Sequence, residues 1–491
     1  MIRRLTFVVL FSLLFLGACS GGSGPVREIK SEADIAGMKV GVVTGSCYDM
    51  DLSSRKDVTL FRFNNEIDQA HAIASGLVDV GMNDECVFSP KMLSEQGLKM
   101  AIKGGAEYPA AFGFRKSDVA LQTEFNEFLS KAKASGIIDS LCVVWLESGG
   151  VYPDPLKVYP NKGSGKPVIV GTAGAIAPIS FRIEEDWFGL ESEIVYLFGE
   201  YVDRPIVYKS FAPASVMMSL ETGDIDIMMG CVFVTEERSE RFLFSDPYHY
   251  YHSAYFVRDA AASKSSLTFW QRLRKDIYQN LVEEKRWRFI TEGLLQTLKI
   301  TLLSILLGSI LGVGLCFMSG SKRKGVKKAA SLYAAFMRGI PMLVLLLIMF
   351  YVVLGRSSLG ASLVAVIAFA LNFAASAGGV YRTALDSVPR GQTEAGLALG
   401  FTKVQTFTNI VLPQAIKQGL PLYTGQCVAL LKGTSIVGYI SVHDLTRASD
   451  LIRSRTFDAF LPLLIVTIIY FLLAWLLGVV LKLIFIRSRK I

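Results

Sequence analysis

Several of the most polar residues in this 491-residue chain stand inside its most apolar stretches. Arg338 with Gly339 and Pro341 beside it, Asn372, Gln426, and Lys432 with Thr434 and Ser435 all fall in runs that otherwise read as lipid-soluble. Such groups are costly against hydrocarbon, so they are expected to face the interior of a helix bundle. Two interpretations stay open. They line or gate a path for a polar solute, or they hydrogen-bond between helices, with Arg338 snorkelling. Covalent chemistry has less to stand on. No nucleophile–base constellation stands out, and the four histidines give a single HxxH, His249 and His252, in an aromatic stretch. No GxxxxGK[ST] phosphate loop is present either. The expectation is a chain that is not an enzyme and holds no cofactor and no metal. Any ATP must be bound by a partner subunit.

The residues expected to receive that partner lie in EAGLALGFTKVQTFTNIVLP, residues 394–413. Ala395, Gly396 and Ala398 let another backbone come close, and Gly400 supplies a break between two helical segments. Pro413 opens the next segment without losing a needed donor. In Glu394, Ala395, Gly400, Leu412 and Pro413 the pattern resembles the EAA loop of ABC-importer permeases. The resemblance implies a short helix on the cytoplasmic face that docks into a separate ATPase subunit. TEGLLQTLKITLLS, FMRGIPMLV, SVPRGQTEAGLALG and LLKGTSIVGYI extend it over nearly the whole second half, which resembles the polar-amino-acid permease family. One departure stands out. Gly379 precedes Arg382 where that family often carries a glutamate.

Composition agrees: 51% of residues are hydrophobic, and they are concentrated in the second half. Spans are expected at roughly 293–318, 330–354, 359–381, 418–440 and 459–485. The net charge of +8 is not a nucleic-acid signature, because the basic residues cluster beside the apolar runs. Lys322, Arg323, Lys324, Lys327 and Lys328 place the first loop inside, as Arg487, Arg489 and Lys490 place the C-terminal end. The EAA-like loop 383–416 then falls inside, and loops 355–358 and 441–457 outside. Ahead of the first span, the amphipathic stretch 264–292, with Trp270 and Trp287, reads as an interfacial lead-in.

At the N-terminus, Arg3 and Arg4 precede an apolar run too short to span, which ends Leu16-Gly17-Ala18-Cys19 before a Gly/Ser tether. This resembles the lipobox of bacterial lipoproteins, which implies acylation of Cys19 and export of the half of the chain beyond it. That exported half alternates strand and helix in two pieces, each expected to be a parallel or mixed sheet with helices on its faces.

VTEERSERFLFSDPY, residues 234–248, is similar to the T-x-x-R…FS-x-PY signature of periplasmic amino-acid-binding proteins. The resemblance implies that Arg238, following Thr235, forks a ligand α-carboxylate, for which a bidentate guanidinium suits better than an ammonium. It also implies that the turn Thr44, Gly45 and Ser46 holds the same carboxylate, that Asp84 receives the α-ammonium, and that Phe181 and Phe211 line the cleft. Cys231 and Phe233 stand where the family usually has a glycine and a hydroxyl residue. The ammonium cage is therefore depleted, which leaves open a ligand other than a standard α-amino acid, or a clamshell that no longer binds. The first piece resembles the second lobe plus the closing segment of these proteins, and the second piece resembles their first lobe. One clamshell in circularly permuted order is expected. Cys47, Cys86, Cys142 and Cys231 fall on the exported side; a Cys47–Cys86 disulfide and isolated buried thiols are both open.

The expected fold is thus an α/β two-lobed clamshell with permuted lobe order, joined to an all-α, five-helix transmembrane permease domain. The segments are a lipoprotein signal peptide at 1–18, a tether at 19–33, a lobe at 34–148, a linker at 149–166, and a lobe at 167–260. An interfacial linker at 261–292 and the permease at 293–491 complete them. The expected function is capture and import of a polar amino acid or similar small zwitterion across a bacterial inner membrane, with the binding domain on its outer face. The expected partners are an ABC ATPase subunit, a second permease copy or paralogue, the amino acid and membrane lipid, and no nucleic acid. The rival is a ligand-gated channel or receptor with a clamshell sensor. It would need a pore loop between spans and has no use for an EAA loop.

Overall fold

The computed structural model describes residues 27–148, 152, 155–172, 177–211, 213–259, 268–355 and 359–487. The expected signal peptide and Cys19 lie outside the described residues. The chain forms two compact units. The first comprises the residues up to Lys209, Ile225–Lys285 and Ile452–Ala459; the second comprises Ser210–Asp224, Arg286–Leu451 and the residues from Phe460 on.

Two five-stranded sheets organise the first unit. One has the order β2 (Thr59–Phe63), β1 (Lys39–Val43), β3 (Val80–Asp84), β12 (His249–Arg258), β4 (Leu98–Ala110). The other runs β11 (Phe242–Phe244), β5 (Gly113–Arg115), β10 (Ile227–Met229), β6 (Val168–Thr172), β9 (Ile206–Ser210). Both are mixed. β1 is parallel to β2 and β3, whereas β12 runs antiparallel to β3 and β4. Short hydrophobic runs bounded by turn residues make these strands, and local caps make the helices between them. Helix Glu66–Ser75, for example, starts where Asn65 accepts from the Asp68 amide and stops at Gly76, whose φ of 75° favours glycine.

Each sheet takes one strand from the other's stretch of sequence. β5 comes directly after β4 yet pairs with β10 and β11, and β12 comes after β11 yet sits between β3 and β4. The two crossings run side by side. The Ser245 amide donates to the Phe112 carbonyl (2.9 Å) and the Tyr248 amide to the Ala110 carbonyl (3.0 Å). Residues 232–234 join them, with Ala111 donating to Val232 (3.0 Å) and Val234 to Pro109 (3.0 Å). A small hairpin, β7 (Phe181–Ile183) and β8 (Asp186–Phe188), stands apart from both sheets.

The second unit is helical. Three of its helices are long and apolar enough to cross a membrane: Trp287–Ser319, Ala361–Asp386 and Leu461–Leu483. The pair Lys324–Gly339 and Met342–Val353, bent by 104° at the break, makes a fourth if the two count as one broken span. The stretch expected as a span at 418–440 differs. It is helix Leu412–Gly433, with Pro421 inside it, continued by a 3₁₀ turn at Thr434–Ile440. Gln414, Lys417, Gln418, Gln426 and Lys432 dilute its apolar character, so among the described residues length and composition alone mark three spans, or four with the bent pair.

Helices Trp287–Ser319 and Ala361–Asp386 meet along small residues. A Cβ on Gly312 would stand 3.0 Å from Ala377 Cβ, and one on Gly308 would stand 2.7 Å from the Ala370 carbonyl oxygen. Ser304 Oγ donates to the Val366 carbonyl across the same seam (3.3 Å). Close backbone approach of this kind replaces the hydrophobic drive that lipid cannot supply. Gly314, on the same helix, has nothing within 4 Å of its would-be Cβ. Gly308→Val in the detergent-solubilised full chain is therefore expected to cost about 1–3 kcal/mol of stability through overpacking, and Gly314→Val close to nothing. Thermal unfolding of the two variants side by side checks this, and equal losses would contradict the seam.

Candidate functional site

In the first unit, a short helix sets the position of Arg238. Thr235 caps helix Glu236–Arg241, its hydroxyl accepting from the Arg238 amide (3.2 Å). The guanidinium then reaches back, Nη1 donating to the Phe233 carbonyl (3.0 Å) and Nη2 to the Gly45 carbonyl (3.0 Å). Nε is buried without a partner, and no carboxylate lies within ion-pairing distance of Arg238 among the described residues. Burial holds this guanidinium below its ordinary pKa. A desolvated cation held only by neutral carbonyls keeps its charge uncompensated.

The TGS turn contributes one of those carbonyls. Gly45 takes φ of 72° and its amide donates to Asp49 Oδ2 (3.0 Å). Thr44 Oγ1 donates to the Phe63 carbonyl (3.0 Å), and Ser46 Oγ caps helix Cys47–Ser53 by accepting from the Asp49 amide (3.1 Å). The structure therefore brings Gly45 to Arg238, while the hydroxyls of Thr44 and Ser46 are committed to local structure.

Asp84 ends β3 in a buried position. Its carboxylate accepts from the Tyr48 hydroxyl at Oδ1 and faces the Cys231 thiol at Oδ2 (3.8 Å), and no cationic side chain pairs with it among the described residues. Burial pushes its pKa up to about 7. Cys47 adjoins Tyr48 in sequence, and Cys86 lies two residues beyond Asp84. Burial first, and then the Asp84 charge, pushes the Cys47, Cys86 and Cys231 thiols above their ordinary value. All three are free thiols, as is Cys142, so among the two open readings the structure holds isolated thiols. The fields of Asp84 and Arg238 both reach Cys47. Tyr48, Tyr108 and Phe233 pack edge-to-face around this group, with ring centroids 4.9–6.0 Å apart.

A further carboxylate gave no signal in the sequence. Glu191, fully buried, accepts from the amides of Gly230 (2.7 Å) and Cys231 (2.8 Å) and from the Tyr248 hydroxyl (2.7 Å). It thereby holds Cys231 at φ of 54° and the adjoining Val232–Val234 segment against the sheet crossing. Burial pushes Glu191 up to about 7 as well. In GLESEIVY an acid in the first helical turn reads as a dipole-complementing surface residue, and nothing nearby marks it as buried.

Two aromatic expectations are not met as cleft linings. Phe181 is wholly buried among Trp145, Tyr152 and Phe188, with the Arg455 guanidinium 4.1 Å over its ring. Phe211 is wholly buried in the second unit, where its carbonyl accepts from Arg447 Nη2 (2.7 Å). Both are core residues.

In the second unit, the interior placement expected of the polar residues holds only in part. Asn372 Nδ2 donates to the Met337 carbonyl (2.7 Å) next to the 104° break, and Thr434 Oγ1 is buried on the Leu431 carbonyl (2.7 Å). Arg338 bonds back along its own helix to Ala334 (3.0 Å) and stands exposed, as does Lys432; Ser435 is half-buried. A cavity of 420 Å³ lies instead among residues that include Cys316, Tyr381, Gly419 and Tyr423. The 390–413 loop forms helix Arg390–Ala398, a turn with Gly400 at φ of 84°, and helix Lys403–Thr406 running through Val411 into Leu412–Gly433, where Leu412 and Pro413 form the first turn. Glu394 and Ala395 are exposed, but Gly396 is buried and packs within the chain, since a Cβ there would meet Thr406 at 2.6 Å. Leu397, Leu399, Phe401 and Val404 leave an exposed apolar set around Gly400, with Leu399 77% exposed.

Residues 304–490 match the family described as the binding-protein-dependent transport system inner membrane component. The L-cystine transport system permease protein TcyB of Bacillus subtilis is 34% identical over 203 residues, 41% of this chain and 87% of that protein. The chain belongs to this family of transport-system inner membrane components. It is a multi-pass inner-membrane transport component and not an enzyme. A putative glutamine transport system permease protein, GlnP of Rickettsia conorii, is 31% identical over 40% of this chain and 91% of its own length. Among solved structures, the crystal structure of an amino acid ABC transporter with histidines is 31% identical, covering 45% of this chain and 99% of that one, at a TM-score of 0.38. The family match covers the 390–413 loop and leaves both sheets of this inner membrane component outside it.

The raised carboxylates make a pH prediction. A folded pKa near 7 lies above the unfolded value of about 3.9, so the folded state holds the proton more tightly. The contribution to stability is then full below about pH 4 and is lost as pH rises through about 7. Asp84→Asn in the ligand-free full chain is expected to be more stable than the wild type at pH 8, by on the order of a few kcal/mol, and to differ little at pH 4. Because Glu191 titrates in the same window, the slope should flatten without vanishing. Unfolding temperatures measured across pH 4–8 check this, and an unaltered slope would remove Asp84 from the buried set.

Proposed function

We propose that this chain is the fused binding and permease subunit of an ATP-driven importer for a polar amino acid or similar small zwitterion. The observation that carries the reading is a pair of unmatched buried charges in one unit, the Arg238 guanidinium without an acid and the Asp84 carboxylate without a base. A ligand with a carboxylate at one end and an ammonium at the other supplies both counter-ions, and burying an unpaired charge is otherwise costly. Relatives named for cystine, glutamine and arginine transport favour an amino acid.

The two sheets form one clamshell in circularly permuted order. Supporting this, β5 and β12 each join the sheet built from the other piece, as a single two-lobed protein requires and two independent domains do not. The clamshell faces outward, tethered by an acylated Cys19. The five basic residues at 322–328 hold the first loop of a five-span permease inside. The exposed apolar set around Gly400 suits the groove of an ABC ATPase subunit, and a second permease copy or paralogue completes the path, with Arg338 and Lys432 facing it. Fusion keeps capture and delivery in one molecule, so the encounter is governed by effective concentration.

Arg238→Ala in the full chain is expected to cost about 2–5 kcal/mol of ligand binding, because truncation strands a desolvated carboxylate. Calorimetry against a panel of L-amino acids measures it; an amino acid bound equally by the variant would overturn the assignment, and binding of none by the wild type would overturn the clamshell's role.

Gly400→Val tests the coupling. A β-branched residue at φ of 84° is strained, by roughly 1–2 kcal/mol or more, while open space around it leaves the fold without a clash. Ligand binding and membrane insertion should survive, and ligand-stimulated ATP hydrolysis and uptake should fall together. Normal transport by this variant with its ATPase bound would reject the 390–413 loop as the coupling element.

A further inference from the structure

Residues 452–459, the end of the loop 441–457 that the charge pattern puts outside, together with the two residues that follow, are built into the first unit. Arg453, its side chain 8% exposed, pairs with Asp68 (2.5 Å) on helix Glu66–Ser75, between β2 and β3. Phe457 is 1% exposed and stands edge-to-face against Phe88 (5.6 Å), which packs the same way on Phe256 of β12 (4.8 Å). The Phe457 carbonyl accepts from Gln96 Nε2 (3.1 Å) and lies 3.0 Å from His71 Nε2. All of these partners belong to the sheet that carries Asp84, to the helices packed on it, or to the turn that follows β3.

Two residues from Arg453, Arg455 holds elsewhere. Its Nη2 meets Glu284 Oε1 (2.6 Å) and its guanidinium lies 4.1 Å over the ring of Phe181, in the hairpin that comes after β6 of the other sheet. Eight residues thus grip both halves of the unit. Passive packing accounts poorly for this grip. Burying two guanidiniums and holding Phe457 at φ of 52° are each unfavourable without the partners on both sides.

The first grip also leads to the cleft. On helix Glu66–Ser75, beside Asp68, the wholly buried Gln69 donates to the carbonyls of Gly41 (2.8 Å) and Met82 (3.0 Å) and accepts from Asn83 (2.8 Å). Asn83 in turn accepts from the Asp84 amide (2.9 Å).

We propose that residues 452–459 are an internal strap that ties the two lobes together, so that loosening either end of it loosens the lobe at the other end. It rests on the two-lobed reading of the unit and is independent of which solute binds. If the lobes turn about the crossings at 110–113 and 244–249, Asp68 and Phe181 move relative to one another, and Arg453 and Arg455 cannot both keep their partners. Coupling of this sort is reciprocal: whatever favours one lobe arrangement favours the strap that fits it.

The test reads each lobe after cutting the strap at the opposite one. Amide hydrogen exchange is measured by mass spectrometry on the ligand-free full chain in nanodiscs, so the outcome is independent of the solute assignment. Arg455→Gln, which releases Phe181 and Glu284, should speed exchange in helix Glu66–Ser75 and at residues 83–86 by about tenfold. Asp68→Asn, which releases Arg453, should do the same in the hairpin 181–188. If each variant speeds exchange only beside its own substitution, the contacts are independent and the strap is rejected. Uniform acceleration across the unit would mean a merely structural role and rejects it too. Phe457→Leu, which keeps an apolar anchor, should leave both lobes near the wild-type rates.

Discussion

Two strands change sheets, and the first unit depends on that constraint. Because β5 leaves its own stretch of sequence for the second sheet and β12 returns to the first, the chain passes between sheets at 110–113 and again at 244–249, where the two passages bond to one another. The segment 230–234 is drawn alongside them and carries Cys231 to Asp84 and the Phe233 carbonyl to Arg238. The polar group forms at this junction, where β3 ends at Asp84 and β10 ends one residue before Gly230. Glu191 accepts from the amides of Gly230 and Cys231, 39 and 40 residues further along the chain. Buried polar groups are tolerated when fully hydrogen-bonded, and here the bonds are supplied by neutral donors and acceptors. The two charges remain unmatched.

The membrane-embedded unit solves a different problem with the same economy of polar groups. Its central pair of helices closes on glycine and alanine, leaving no room for larger side chains at Gly308 and Gly312. Where helix Lys324–Gly339 breaks before Met342, Asn372 takes up the carbonyl of Met337 that the break frees. Asp444 serves a comparable purpose, accepting from the amides of Thr446 and Arg447 at the start of helix Leu445–Thr456. Each of these irregularities of the backbone has its side-chain partner nearby.

The legible features of the sequence are those decided within a few residues. The alternation of strands and helices and the break between helical segments at Gly400 arise from local stereochemistry and stand as expected. Arg238 and Asp84 are marked by a resemblance, and the structure adds that neither has a counter-ion among the described residues. Contact across long separations is what the sequence conceals. Nothing local says that Tyr48 donates to Asp84, that Glu191 turns back to Gly230, or that Phe457 fills a place beside Phe88. Phe181 and Phe211 illustrate the converse: an aromatic residue at a cleft-like position is equally at home in the core, and only packing decides. At 418–440 the hydropathy of the stretch is diluted by Gln418, Gln426 and Lys432, so composition alone marks it less clearly than the long apolar helices.

The boundaries of the two units do not follow the order of the sequence. Residues 210–224, encoded amid the sheets, belong to the helical unit, and residues 452–459, encoded amid the helices, belong to the sheets. A chain joined from two ancestral genes could ordinarily exchange either half for a relative's by recombination. Here such an exchange would remove Phe457 from Phe88 and Arg447 from Ser210 at a stroke. A substitution at Asp68 thus removes the partner of Arg453, 385 positions away. What the order of residues presents as two successive halves is interleaved in its contacts.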